Sequence, residues 1–244
     1  MVTIDSYRAL IDDTTAMVSV PLVSYKNGAV LPVSEVAECA KAHGARVFVD
    51  AYQGAGVMPI DVGALGCDYL VAGNLKYLLG LPGIAFLYVR AGVVDEIPPS
   101  LTGWFGRPNP FDFDPRGIAF PDEARRLESG TPAIPAAYAA NAGMGLLLDL
   151  DLTEVRRHVH ELVTMTARRL GDLGATLYWP ELDSARGPQV AIRVPDPLKL
   201  GDFLRGRRIF TSPRGDVVRL SFHYYNTVAD VDACVAAMKE YGEF

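Results

Sequence analysis

The chain has 244 residues, half of them hydrophobic, and a formal net charge of -6. That length can bury a substantial core in one or two domains, and the composition is that of a globular α/β protein. An acidic balance with no basic run gives no support for nucleic-acid or anionic-membrane binding, and no apolar stretch approaches the roughly 18–20 residues that span a bilayer.

At the start, MVTIDSYRAL has neither the basic nor the apolar region of a signal peptide. MVSVPLVSY (Met17–Tyr25) reads as a buried strand. NGAVLP then turns into an amphipathic helix over Val33–His43, with Gly44 as its stop. ARVFVD, DYLVAG and IAFLYV (Ile84–Val89) are further strands. Strand–helix–strand alternation with continuous apolar strands predicts a mostly parallel sheet. From Pro98 to Glu128 the pattern breaks into prolines and aromatic clusters; so long a loop in a compact domain belongs to a site or an interface. Thr131 opens a small-residue helix running to about Leu150, and an amphipathic helix follows over Thr153–Leu173. The remainder reads as strands at Ala175–Trp179, Gln189–Val194, Ile209–Ser212 and Val217–Phe222, with helices at Pro197–Arg205 and Val228–Tyr241. This predicts a small α+β domain over 131–244, connecting helix included, after an α/β part over 1–130. Cys39, Cys67 and Cys234 have no paired spacing and read as reduced cytosolic thiols. His43, His158, His160 and His223 form no metal-ligand pattern.

Asp50 and Lys76 each stand at the end of an apolar run, in VFVDAYQ and DYLVAGNLKYLLG. In an open α/β sheet the carboxyl ends of the strands line the ligand crevice. A carboxylate and an amine placed there suit an aldehyde cofactor, held by the amine as a Schiff base while the carboxylate keeps a pyridinium protonated. Leu75, Leu78, Leu79 and Leu81 surround Lys76 in sequence, and desolvation by apolar neighbours lowers an amine's pKa. The plainer readings are a surface lysine and an Asp that caps its turn.

With VDAYQGAGVMPIDV, the Lys76 segment, PGIAFLYV, GWFG (Gly103–Gly106), RLESGTP (Arg126–Pro132) and PRGDVVRLSFHYYNT (Pro213–Thr227), the chain resembles the pyridoxal-phosphate (PLP) enzymes of aminotransferase class V. That group includes cysteine desulfurases, selenocysteine lyases and kynureninases. The resemblance implies the C-terminal part of a fold-type-I large domain plus a small domain. It assigns Lys76 to the Schiff base, Asp50 to the ring nitrogen and Gln53, where kynureninases carry His, to the ring hydroxyl. It makes Arg219 the clamp on the substrate carboxylate, because a planar guanidinium binds carboxylate with two parallel hydrogen bonds. Arg214 is placed near the site mouth, and Asn226 and His223 read as structural. Thr131 reaches the cofactor phosphate of a neighbouring subunit in relatives, and is equally a plain helix N-cap with Pro132 at N1. Trp104 resembles an aromatic near the cofactor at a dimer interface, and with Phe105 can also serve only to bury that interface.

The chain departs from the pattern. The loop RRIFTSPRGDVV lacks the sulfur-accepting cysteine of desulfurases, which speaks against a persulfide there. Gly73 and Leu75 stand where some relatives hold the phosphate with a Ser and a His, and Tyr25 stands where desulfurases have Asn. The family's N-terminal section, with its phosphate cradle and ring-stacking residue, has no counterpart, so an open sheet edge is expected. The expectation is a naturally short subunit, half of a split heterodimeric enzyme, completed by a companion polypeptide. It acts on a small amino acid, with lyase-type or aminotransferase-type chemistry. A non-catalytic scaffold subunit and a truncated piece remain the alternatives.

Overall fold

Buried and more exposed positions alternate along the first three strands of the computed structural model, which describes residues 2–94 and 99–243. Strands β1 (Met17–Pro21), β2 (Arg46–Asp50) and β3 (Tyr69–Gly73) run parallel, and β4 (Ala85–Val89) closes the sheet antiparallel, in the order β1-β2-β3-β4. Val18, Val20, Val47, Val49, Leu70 and Ala72 bury one face, against helix α2 (Val33–Ala42). The strands are thus half-buried, not buried on both faces as their apolar runs suggest. β4 is an edge whose Phe86 and Leu87 stay 42% and 40% exposed. Two short helices, α1 (Ile4–Arg8) and α3 (Val62–Leu65), escape the sequence reading because each is little more than one turn.

Helix α4 (Ile134–Leu148) starts two residues later than expected, with Ala133 and not Thr131 as its cap. The reason lies in Pro135. A helix begun at Pro132 would need the missing N–H of Pro135 to bond the Thr131 carbonyl, so Pro135 is confined to the first turn. One side of α4 packs inward through Ala136, Ala140, Gly143 and Leu147, while Ile134, Tyr138, Leu146 and Leu148 are exposed. Of the predicted long loop, Pro98 lies outside the described residues; the rest holds two single-turn 3-10 helices, at Trp104–Gly106 and Ala124–Leu127.

The C-terminal part builds a second sheet. Helix α5 (Leu152–Asp172) leads into β5 (Thr176–Leu177), β6 (Gln189–Arg193), α6 (Pro197–Gly206), β7 (Ser212–Arg214), β8 (Val217–Ser221) and α7 (Val228–Tyr241). The sheet is antiparallel, in the order β5-β6-β8-β7, and its core is formed with α5, α6 and α7 by Val159, Leu162, Leu170, Ile192, Leu204 and Met238. The strand expected at Ile209–Ser212 begins only at Ser212. Ile209 still bonds back to the Leu204 carbonyl and Arg208 has a φ of 62°, so both belong to the end of α6.

Three strands of the first sheet are tied at one end by Asp68. Its buried carboxylate accepts the Val47 N–H at 2.8 Å and two bonds from Arg90, at 3.0 and 2.7 Å. Burial alone would raise this carboxyl, but the Arg90 fork and the Val47 N–H outweigh it and hold it below the usual range. Its contribution is therefore complete above the unfolded carboxylate pKa of about 3.9 and is lost as the pH falls through the lower folded value. Asp68→Asn should reduce the unfolding free energy by about 2 kcal/mol at neutral pH. Urea melts of both proteins should show that difference shrinking in acid.

Candidate active site

Parallel strands β1, β2 and β3 end on the same side of the sheet, and Asp50 and the turn after Gly73 lie there. Asp50 is the last residue of β2, and its Oδ1 accepts the Tyr52 N–H at 2.8 Å in an Asx turn. Lys76 follows β3 in a tight turn closed by Leu79 N–H to the Lys76 carbonyl (2.9 Å) and Gly80 N–H to the Asn74 carbonyl (2.6 Å). Leu79 has a φ of 59°, a strained conformation for a branched residue and one the surroundings must enforce. Helix α4 supplies that support. A Cβ on Gly143 would lie 2.5 Å from the Leu78 carbonyl, so only glycine lets the helix approach this turn.

Lys76 opens onto two adjoining clefts. One, of about 360 Å³, is lined by Tyr25, Asp50, Tyr52, Gln53 and Lys76. The other, of about 320 Å³, is lined by Gln53, Lys76, Tyr77, Arg214, Arg219 and Tyr225. The sheet of the C-terminal part thus brings Arg214 from β7 and Arg219 from β8 to the end of the other sheet. A larger cleft of about 510 Å³ is lined by Ile4, Leu31, Glu35, Glu181 and Leu182 among others, and contains no amine and none of the motif residues.

The site is cation-rich. Lys76 is partly exposed, yet burial lowers its pKa and Arg219 and Arg214 push in the same direction, against Asp50, which raises it. Arg219 is 7% exposed; burial and then Arg214 lower its pKa. Its Nη1 donates to the Tyr25 carbonyl, while its buried Nε has no partner among the described residues. An unpaired buried guanidinium N–H is costly and is the kind of donor an incoming carboxylate satisfies.

Behind these groups lies a polar layer. Gln189, 1% exposed, donates through Nε2 to Gln53 Oε1 at 3.0 Å and to the Tyr77 hydroxyl at 3.4 Å. Burial pushes the Tyr77 phenol up, so it is protonated at neutral pH. His223 pairs through Nε2 with the Tyr77 carbonyl (2.9 Å) and accepts the Tyr224 N–H at Nδ1 (2.8 Å), and burial lowers its pKa. It is a neutral, structural imidazole. Asn226 accepts the His223 N–H at 2.8 Å and shapes the same turn.

The structure therefore gathers Asp50, Gln53, Lys76, Tyr25, Arg214 and Arg219. It does not bring Thr131 or Trp104 to these clefts. Thr131 is exposed, and Trp104 packs against Phe105 (4.6 Å), Phe111 (5.8 Å) and Phe113 (6.0 Å). Sequence reasoning missed Tyr52, Tyr77 and Gln189; the one available signal was a glutamine opening the apolar run VAI at 190–192. None of Cys39, Cys67 and Cys234 lines the clefts, and burial pushes the Cys234 thiol up to about 12. Among the described residues no group of three or more His, Cys, Asp or Glu could hold a metal, and no helix is long and apolar enough to cross a membrane.

The family model for Aminotransferase class-V matches residues 1–234. The chain is 38% identical over 92% of its length to the uncharacterized aminotransferase YcbU of Bacillus subtilis (strain 168), covering 59% of that protein. It is 30% identical over 97% of its length to a cysteine desulfurase of Yersinia pestis (strain Pestoides F), covering 61% of it. The apo cysteine desulfurase of Thermococcus onnurineus NA1 superposes with a TM-score of 0.88 at 28% identity, over 98% of this chain and 62% of that one. The fold is also that of a cystine C-S lyase solved with cysteine persulfide (TM-score 0.87, 22% identity, 97% of this chain and 63–64% of such lyase chains), a variant of which was solved with glycine covalently linked to its PLP cofactor. The chain spans about three fifths of the length of these curated relatives.

The charges around Lys76 make opposite predictions for two variants. Arg219→Gln should move the Lys76 pKa up toward its ordinary value, and Asp50→Asn should move it further down. The pH dependence of acylation at Lys76, followed by peptide mass spectrometry, reads both shifts.

Proposed function

The chain belongs to the aminotransferase class V family, and from that premise we propose that it binds pyridoxal 5′-phosphate at Lys76 and transforms an amino acid whose carboxylate Arg219 holds. The observation that carries this reading is the convergence of Lys76, Asp50 and Arg219 on adjoining clefts. The donor set fits the cofactor: an amine of lowered pKa for its aldehyde, a carboxylate for its ring nitrogen and an amide for its ring hydroxyl. When bound, pyridoxal phosphate supplies an aldehyde that captures an amine and a protonated ring that withdraws electrons from the adjacent carbon.

The protein's own groups do the rest. Burial and the two arginines keep more of Lys76 neutral near pH 7, as a nucleophile needs. Asp50, fixed by the Tyr52 N–H, holds a proton on the ring nitrogen. Gln53 is oriented because Gln189 donates to its oxygen, which leaves the Gln53 NH₂ to donate into the cleft. Arg219 aligns the substrate carboxylate, and the Lys76 amine is the general base for the α-proton. No cysteine lines the clefts to accept sulfur, which supports lyase-type or aminotransferase-type chemistry over sulfur transfer through the Arg207–Val218 loop.

A companion polypeptide is part of the proposal. Edge strands β1 and β4 each have one paired neighbour among the described strands, and α4 is apolar on its exposed side as well as its packed one. A helix apolar all round is ordinarily covered, and an open apolar edge invites a partner strand.

Adding pyridoxal 5′-phosphate to the chain together with the companion polypeptide should give a visible absorbance band, and none when the chain carries Lys76→Ala. Arg219→Gln should keep the band but weaken binding of an amino acid, read as its effect on that band, by roughly ten- to a hundredfold. An unchanged band in Lys76→Ala contradicts the assignment.

A further inference from the structure

Asp50 of β2 pairs with Val71 of β3, so two residues further on Tyr52 stands beside Gly73. A Cβ built on Gly73 would lie 1.8 Å from both Cζ and the hydroxyl of Tyr52, and 2.2 Å from Cε2. The Tyr52 phenol fills the volume that a side chain at position 73 would take, so with the ring in this position only glycine fits at 73. The Lys76 ammonium lies 4.6 Å from the centre of the Tyr52 ring. The Tyr52 hydroxyl has no hydrogen-bond partner among the described residues, while the neighbouring Gln53 turns the other way, to Gln189 of the C-terminal sheet.

Lys76 thus shares one cleft with both Tyr52 and Gln53, of which the Gln53 amide turns toward Gln189 and the Tyr52 hydroxyl lies against Gly73. In pyridoxal phosphate the aldehyde is flanked by the ring hydroxyl on one side and the phosphate-bearing arm on the other. With Gln53 serving the ring hydroxyl, the arm falls on the side of Tyr52. We propose that the Tyr52 hydroxyl donates a hydrogen bond to the cofactor phosphate, delivering from β2 the hydroxyl that a serine at position 73 would deliver from β3. This inference rests on the functional reading above. It assigns Tyr52, which no motif singles out, and it explains why Gly73 is glycine.

The test compares pyridoxal 5′-phosphate with pyridoxal, which lacks the phosphate. Each is titrated into the protein, the Lys76 adduct is fixed with borohydride, and its yield is read by peptide mass spectrometry. Tyr52→Phe should weaken the phosphorylated aldehyde about tenfold or more, as expected for a hydrogen bond to a charged group, and leave pyridoxal unchanged. Tyr52→Ala combined with Gly73→Ser should regain part of the lost preference. Equal effects of Tyr52→Phe on both aldehydes, or none on either, overturn the inference, and pyridoxal serves as the internal control for folding. Absence of any Lys76 adduct in the wild type instead overturns the functional reading, and this inference with it.

Discussion

One buried hydrogen bond sets the geometry on which the site depends. Gln189, at the start of β6 in the second sheet, donates to Gln53, at the end of β2 in the first. Both amides are buried, so this contact fixes the seam between the two cores and the direction of the Gln53 amide together. Its neighbours act the same way. Gly187 N–H bonds the Gly28 carbonyl, Val30 N–H bonds the Ala185 carbonyl, His223 holds the Tyr77 carbonyl and Arg219 reaches the Tyr25 carbonyl. Lys76 belongs to one core and Arg219 to the other; their pairing exists only because the seam is specific. These bonds cross between distant segments, so another arrangement of the two cores would break several of them at once.

Electrostatics then decide what the seam can hold. Arg219 and Arg214 lower the Lys76 pKa, Arg214 also lowers that of Arg219, and Asp50 offsets them for Lys76. Excess positive charge held in place by the fold favours an anionic ligand without further reorganisation. The strained turn at Leu79, held against Gly143, keeps the amine at the strand ends. Folding stability and site geometry thus draw on the same contacts.

Much of this was legible in the residues. The strands stood out because apolar, β-branched runs are bounded by turn residues, and α7 was read with its observed bounds because Thr227 caps it and Gly242 ends it at a φ of 68°. Lys76 and Asp50 were readable because strand ends are where α/β sites form, whereas Arg219, in the middle of β8, was reached only through the family resemblance. Local pattern failed where a second constraint overrode it. Pro135 moved the start of α4 away from Thr131, and the turn at Arg208 delayed β7. Tyr52, Gln189 and the exclusion between Tyr52 and Gly73 were invisible because they are facts of register and of contact between distant segments, which no local spacing encodes.

The most direct measurement is a crystal structure of the protein grown with pyridoxal 5′-phosphate and any polypeptide that co-purifies with it. The account predicts continuous density from Lys76 Nζ into the cofactor, with the ring nitrogen within hydrogen-bond distance of Asp50 and Gln53 beside the ring hydroxyl. A cofactor bound away from Lys76, or a ring whose nitrogen faces away from Asp50, would contradict it.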